Sequence, residues 1–270
     1  MSTFTMGPAL LFCPADRPER FGKAAERADA VILDLEDAVS PADKAAARDA
    51  VAVSRLDPSS TIVRINPAST PDFVLDVEML KHTDYRTVML AKTESADNVW
   101  GLNAFAVVAL CETASGILNA QAIAAEPNVV ALMWGAEDLV ASLGGSSSRA
   151  DDGSYRHVAL HSRSHVLLSA AAAGKSAMDS VFINIADLGG LAAESRDAVA
   201  SGFGSKACIH PSQVTVIREA YRPGPDEIDY ARAILAEAQR SGGVFQFRGR
   251  MIDGPILRHA EQTLARTGES

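Results

Sequence analysis

Short apolar runs rich in β-branched residues recur along the chain. They are ALLFCPA (9–15), AVILDLED (30–37), TIVRINP (61–67), TVMLAK (87–92), FAVVALCET (105–113), VVALMWG (129–135), SVFINIAD (180–187) and SKACIHP (205–211). Between most of them lie Ala-rich, charged segments with helical spacing, among them PERFGKAAERA, SPADKAAARDAVAVSRL, TPDFVLDVEMLKH and SRSHVLLSAAAAGK. Near-continuous apolar strands alternating with helices predict parallel strands covered by helices on their outer face. Eight such units predict an α/β fold, a (β/α)8 TIM barrel. The competing arrangement is an open doubly wound sheet, which usually carries a Gly-rich turn after strand 1. Here strand 1 runs into PADRPERF, with no glycine before Gly22.

The pattern changes after Pro223. A helical stretch (PDEIDYARAILAEAQRSGG), a hairpin-like stretch (VFQFRGRMI) and a last helix (GPILRHAEQTLAR) are surplus to eight βα units. The expected organisation is a barrel over residues 1–223 and a lid or oligomer arm over 224–270.

Composition narrows the class. Of the 270 residues 47% are hydrophobic and 22% charged, as in ordinary globular proteins, which excludes collagen, coiled coil and disorder. A formal net charge of -9 and only 6% aromatics argue against a nucleic-acid partner, since phosphates would be repelled and stacking platforms are scarce. Cys13, Cys111 and Cys208 each lie in an apolar run and read as buried free thiols of a reducing compartment. The N-terminus lacks a basic n-region, and no stretch approaches the ~18 apolar residues of a membrane span. A cytoplasmic protein is expected.

In a barrel of this kind chemistry collects where strands end and βα loops begin. Strand 1 ends near Asp16 and Arg17, strand 2 at Glu36 and Asp37, strand 3 at Arg64 and Asn66. Strand 4 ends at Lys92, strand 5 at Glu112, and strand 6 in Gly135-Ala136-Glu137-Asp138. Any one of these could be the first solvated loop residue; six converging on one mouth point to a site. Glu112 and Asp138 are hard oxygen donors that suit Mg2+ and, with no His or Cys beside them, disfavour zinc. Helix capping is the plainer role for both. Arg64 offers a planar fork for a carboxylate. Gly135 and Ala136 could present backbone N–H groups at the same point. Together these describe a site for a small oxo- or hydroxy-acid.

Other features read as structural. His157, His161 and His165 fall four residues apart on a helix and read as a surface stripe rather than a metal face. GFGSK (202–206) precedes a strand and is not a phosphate loop, and GGSSS (144–148) lacks the frame of a nucleophile elbow. Arg17, Arg20 and Lys23 are either a solvated face or a phosphate cradle. Asp253, before Gly254-Pro255, reads by itself as a helix N-cap.

The ordered motifs LFCPADRPERFGKA, ADAVILDLEDAVSPADKAAAR, VRINP, LAKTES, LCETASGI, WGAEDLVASLG, SKACIHPSQV and GRMIDGPILRHAEQTL cover nearly the whole chain. As a set the sequence resembles the citrate lyase β-subunit-like branch of the HpcH/HpaI aldolase superfamily. The resemblance implies a (β/α)8 barrel, assembled as a trimer or hexamer. It implies C–C bond cleavage or formation between an oxo acid and an acetyl-type unit carried as a coenzyme A thioester, with Mg2+ as cofactor. In that reading Glu112 and Asp138 match the magnesium ligands and Arg64 the arginine on the oxo-acid carboxylate. Glu36 and Asp37 match the acidic pair behind the metal. Arg17 and Lys23 fall where relatives bind the coenzyme phosphates. Asp253 matches a lid aspartate delivered into a neighbouring subunit's site. The length and the lid motif resemble the stand-alone citramalyl-, malyl- and β-methylmalyl-CoA lyases of the branch more than a citrate lyase β-subunit working with partner subunits, and a 3-hydroxyacyl-CoA of the citramalyl-, malyl- or 3-hydroxy-3-methylglutaryl-CoA type is the expected substrate. A ligand-binding paralogue without turnover is the remaining alternative.

Overall fold

The computed structural model describes residues 4–267. Two compact units are found, Met1–Ile217 and Arg218–Ser270. The first is built of β1 (Ala9–Pro14), α1 (Phe21–Arg27), β2 (Ala30–Asp34), α2 (Lys44–Val53), β3 (Thr61–Ile65), α3 (Pro71–Leu80) and β4 (Thr87–Leu90). It continues with α4 (Asp97–Trp100), β5 (Ala106–Cys111), α5 (Ala114–Leu118), α6 (Ala120–Ala124), β6 (Val129–Trp134), α7 (Ala136–Ser142) and α8 (His157–Ala172). β7 (Ser176–Asp179), α9 (Leu188–Ser201), β8 (Ser205–Cys208) and α10 (Pro211–Tyr221) complete the order, with the unit boundary falling inside α10.

β1 to β8 close into an all-parallel barrel in sequential order, β8 pairing back onto β1. The open-sheet alternative is therefore excluded. Successive strand residues alternate between the barrel interior and the helix layer. The interior is filled by Leu10, Ala30, Ile32, Ile62, Met89, Val108, Leu110, Ala131, Met133, Met178 and Ala207. Two residues further along seven of the eight strands, all but β4, the same alternation returns a residue to the C-terminal mouth. Those positions are Phe12, Asp34, Arg64, Glu112, Gly135, Ser180 and Ile209, and all of them line one cleft. The mouth is thus specified by the same period-2 pattern that fills the core.

One strand differs from its expected position. SVFINIAD (180–187) is a loop, and β7 is the preceding SAMD. The backbone of the loop is satisfied by side chains instead of a ladder. Lys206 Nζ donates to the Ser180 carbonyl at 2.7 Å, and Gln213 Nε2 donates to the Phe182 carbonyl at 2.8 Å. Ile183 and Ile185 are exposed, so the β-branched run that suggested a strand here is not buried. β2 also stops at Asp34, so Glu36 and Asp37 belong to the turn after it.

The second unit holds α11 (Pro225–Ser241), the antiparallel ribbon β9 (Phe245–Phe247) and β10 (Arg250–Ile252), and α12 (Gly254–Ala265). Its own small core is Ala231, Ile234, Ile252 and Ala260, flanked by Tyr230, Phe245 and Phe247. Among the described residues no helix is long and apolar enough to cross a membrane. The three cysteines are buried.

Candidate active site

The cleft at the barrel mouth has a volume of about 310 Å³. It is lined by the apolar Phe12, Pro14, Ala38, Leu110, Met133, Val181 and Ile209 and by the charged Asp34, Arg64, Glu112, Glu137 and Asp138.

Arg64 is held by more acid than the sequence indicated. Its Nε donates to Asp34 Oδ1 at 2.7 Å and its Nη2 donates to Asp34 Oδ2, a bidentate pair. Nη1 lies 3.1 Å from Glu36 Oε2. Burial works against the charged guanidinium, but Asp34, Glu36 and Glu112 outweigh it and hold Arg64 protonated. The guanidinium also lies 4.9 Å from the centre of the Phe12 ring. The fork is therefore not free. Asp34 and Glu36 between them face Nε, Nη2 and Nη1, so a ligand carboxylate has to share the guanidinium with them. Asp34 was missed because it sat inside an apparently continuous apolar run; its two-residue offset from the interior Ile32 was the available signal.

Glu112 is 2% exposed. Its Oε1 accepts the backbone N–H of Lys92 at 3.1 Å. A Cβ at position 135 would come within 2.7 Å of Glu112 Oε2 and 2.8 Å of its Cβ. Only glycine lets the end of β6 approach this carboxylate so closely. Burial, then repulsion from Asp138, pushes the Glu112 carboxyl up to about 8, against the pull of Arg64 and Lys92. A carboxylate so placed is short of positive charge.

Lys92 joins the acidic groups. Its ammonium donates to Glu36 Oε1 and, at 2.9 Å, to Asp37 Oδ2, and it lies 3.2 Å from Asp138 Oδ1. Burial raises the Glu36 carboxyl, opposed by Arg64 and Lys92. Burial would raise Asp37 as well, yet its hydrogen bond from Lys92 leaves it lowered. Sequence reasoning placed Lys92 at a strand end without a role, because nothing in LAKTES announces its backbone conformation.

The remaining expected residues divide. Gly135 and Ala136 lie in the cleft, but the Ala136 N–H faces Ser180 Oγ at 3.4 Å and is not wholly free. Arg17 is exposed and pairs with Asp16 at 3.8 Å, and Lys23 is exposed on α1, so this basic pair is available to solvent. Asp253 caps α12, its Oδ1 accepting the Ile256 N–H at 3.4 Å. His157 and His161 are exposed and His165 half-buried, and the rings of His161 and His165 stack at 6.0 Å.

The residues present fit a magnesium ion. The donors are all oxygen, Glu112 is buried and electron-rich, and Gly135 leaves its Oε2 uncovered. Among the described residues no group of three or more His, Cys, Asp or Glu side chains could hold an ion alone. That restricts the fit to a hard cation which keeps waters and accepts substrate oxygens, as Mg2+ does.

An eight-stranded parallel barrel with an acid-rich, arginine-bearing mouth is the frame of an oxygen-ligand metal enzyme acting on small acids. Residues 9–211 match the HpcH/HpaI aldolase/citrate lyase family, and the chain belongs to it. It is 53% identical over 270 residues to a citrate lyase subunit beta-like protein of Mycobacterium tuberculosis, covering 100% of this chain and 99% of that one. It is 31% identical over 290 residues to the mitochondrial citramalyl-CoA lyase of Homo sapiens, covering 95% of this chain and 84% of that one. Its fold matches the crystal structure of the Mycobacterium tuberculosis protein CitE in complex with magnesium, acetoacetate and coenzyme A. The TM-score is 0.94 at 54% identity, covering 98% of this chain and 100% of that one.

Proposed function

We propose that this protein is a magnesium-dependent carbon–carbon lyase that cleaves a 3-hydroxyacyl-CoA to an oxo acid and acetyl-CoA, or runs the reverse condensation. The observation that carries the reading is the cleft itself: the buried Glu112, the half-exposed Asp138 and the arginine Arg64 line one small cavity. The M. tuberculosis relative bound to magnesium, acetoacetate and coenzyme A supports the same ligand set here.

Glu112 and Asp138 would hold the metal. When bound, Mg2+ supplies positive charge that stabilises the negative charge developing on the substrate oxygen. Arg64, itself fixed by Asp34, orients the substrate carboxylate beside it. Glu36 and Asp37 hold the Lys92 ammonium, and Glu36 also faces Arg64. The apolar wall excludes water from the reacting carbons. Cleavage passes the hydroxyl proton to a water, breaks the C–C bond as the C–O bond becomes a carbonyl, and leaves the electron pair on the carbon next to the thioester carbonyl, which must then gain a proton. Asp253 is the proton donor in this reading, delivered from the C-terminal segment (224–270) of a neighbouring copy in a trimer. Arg17 and Lys23 would meet the coenzyme phosphates. The setting is a reducing cytoplasm.

The test is a screen of citramalyl-, malyl- and 3-hydroxy-3-methylglutaryl-CoA with and without Mg2+. Release of an oxo acid and acetyl-CoA from one of them, abolished by a chelator, supports the reading. No cleavage of any over long incubation favours a ligand-binding role, and activity untouched by chelator removes the metal from the chemistry.

A further inference from the structure

Lys92 is one of two non-glycine residues with a positive φ among those described, at 46°. Such a conformation is strained for an ordinary residue and persists where its surroundings impose it. Here they do. The next residue, Thr93, is fully buried, its N–H donates to the Leu110 carbonyl of β5 at 2.9 Å, and its hydroxyl donates to the Leu90 carbonyl of β4 at 2.8 Å. The Thr93 carbonyl lies 2.4 Å from where a Cβ of Gly116 would stand, so α5 presses on the same turn. The clamped turn gives one residue two jobs. Its backbone N–H donates to Glu112, and its ammonium meets Glu36, Asp37 and Asp138. Acidic groups from the ends of β2, β5 and β6 are tied together through this one side chain and its amide.

We propose that Lys92 is a positioning residue, an internal counter-cation that holds the acidic mouth together before a metal arrives and weakens the metal's binding once it has arrived. The inference rests on the reading of Glu112 and Asp138 as the magnesium pair. Without its ammonium the acidic groups repel one another, so the metal-free protein loses stability. The same loss removes a positive charge next to Asp138, and a divalent cation then binds more tightly. A residue that merely packed the mouth would lower both stability and metal affinity on removal.

The experiment is a calorimetric titration of Mg2+ into the full-length protein and its Lys92→Met, Lys92→Gly and Lys92→Arg variants, with melting curves recorded without metal. Lys92→Met should melt lower without metal and bind Mg2+ about tenfold tighter or more, as expected for removing a unit charge within a few ångströms of a divalent ion. Lys92→Gly, which accepts the left-handed backbone freely, should bind Mg2+ as tightly as Lys92→Met while recovering part of the lost melting temperature. Lys92→Arg keeps the charge and should stay close to the unmodified protein in affinity. Unchanged or weaker Mg2+ binding in both Lys92→Met and Lys92→Gly overturns the proposal. Absence of saturable Mg2+ binding to the unmodified protein overturns the metal site instead; the metal-free melts then decide on Lys92, a lower value in Lys92→Met supporting the counter-cation and an equal or higher one overturning it.

Discussion

Two ion clusters sit on the same barrel and differ in one respect. At the mouth, Glu36, Asp37, Glu112 and Asp138 share Lys92, while Arg64 pairs with Asp34 and Glu36. Between the barrel and its helices, Lys206 is fully buried and bonds Asp179 at 2.8 Å and Glu194 at 3.0 Å. Arg163 adds Asp179 at 2.9 Å and Asp197 at 2.6 Å, and Trp134 Nε1 donates to Asp179 Oδ1 at 2.8 Å. The second cluster is saturated: burial alone would raise the Asp179 carboxyl, but Lys206 and Arg163 outweigh burial and hold it below the usual range. The mouth is left short of cations, and its Glu112 is raised. Burial of charge does not separate a site from a structural clamp; the sign of the residual charge does.

The largest expected effect follows from that residue of charge. Glu112→Ala or Asp138→Ala should abolish Mg2+ binding and reduce turnover by about 10³-fold or more, the scale of the several kcal/mol a catalytic metal supplies. Circular dichroism should remain that of the folded protein, because both side chains lie at the mouth and not in the core. Full activity in either variant contradicts the assignment. Asp253→Asn should retain Mg2+ binding and lose about 10²–10⁴-fold in turnover, as for a lost general acid. Mixing it with Glu112→Ala subunits should restore part of the activity if the site is shared; no recovery after verified exchange removes the sharing.

The saturated cluster should respond in the opposite currency. Lys206→Met should cost about 3–5 kcal/mol of stability, the usual cost of removing one partner of a buried pair, with Mg2+ affinity unchanged. Chemical denaturation and a metal titration on the same sample check both halves.

How much of this was visible in the residues follows the same division. Strand number, order and the polar ends of strands 2 to 6 were legible, because parallel barrel strands are apolar runs that stop at polar residues. Strand 7 was displaced, since SVFINI has the composition of a strand but finds its hydrogen bonds in Lys206 and Gln213. Glu112 and Asp138 were legible as strand-end carboxylates. The pairing of Asp34 with Arg64, the reach of Lys92 and the Asp179–Lys206 clamp were not, because each depends on which of two faces a side chain takes and on partners 27 to 56 positions away.

A further expected effect is in the pH dependence, and its sign differs between the clusters. Asp179 has a lowered folded pKa, so its contribution is present above about pH 4, its ordinary unfolded value, and is lost as pH falls through the folded value. Glu112 has a raised folded pKa of about 8, so the folded state holds its proton more firmly than the unfolded state does. Without metal, stability should therefore fall as pH rises from about 4.5 to 8 and change no further above it. Melting curves of the unmodified protein and Glu112→Gln across that range check this, the variant lacking that decline.

The most direct test of the central claim, that the cation-poor mouth is the magnesium site, is a calorimetric Mg2+ titration at pH 7 in buffers of different ionisation heat. One Mg2+ per chain should bind, with release of close to one proton as Glu112 ionises, and no such binding should occur in Glu112→Gln. Mg2+ binding that survives in Glu112→Gln, or no saturable binding to the unmodified protein, contradicts it.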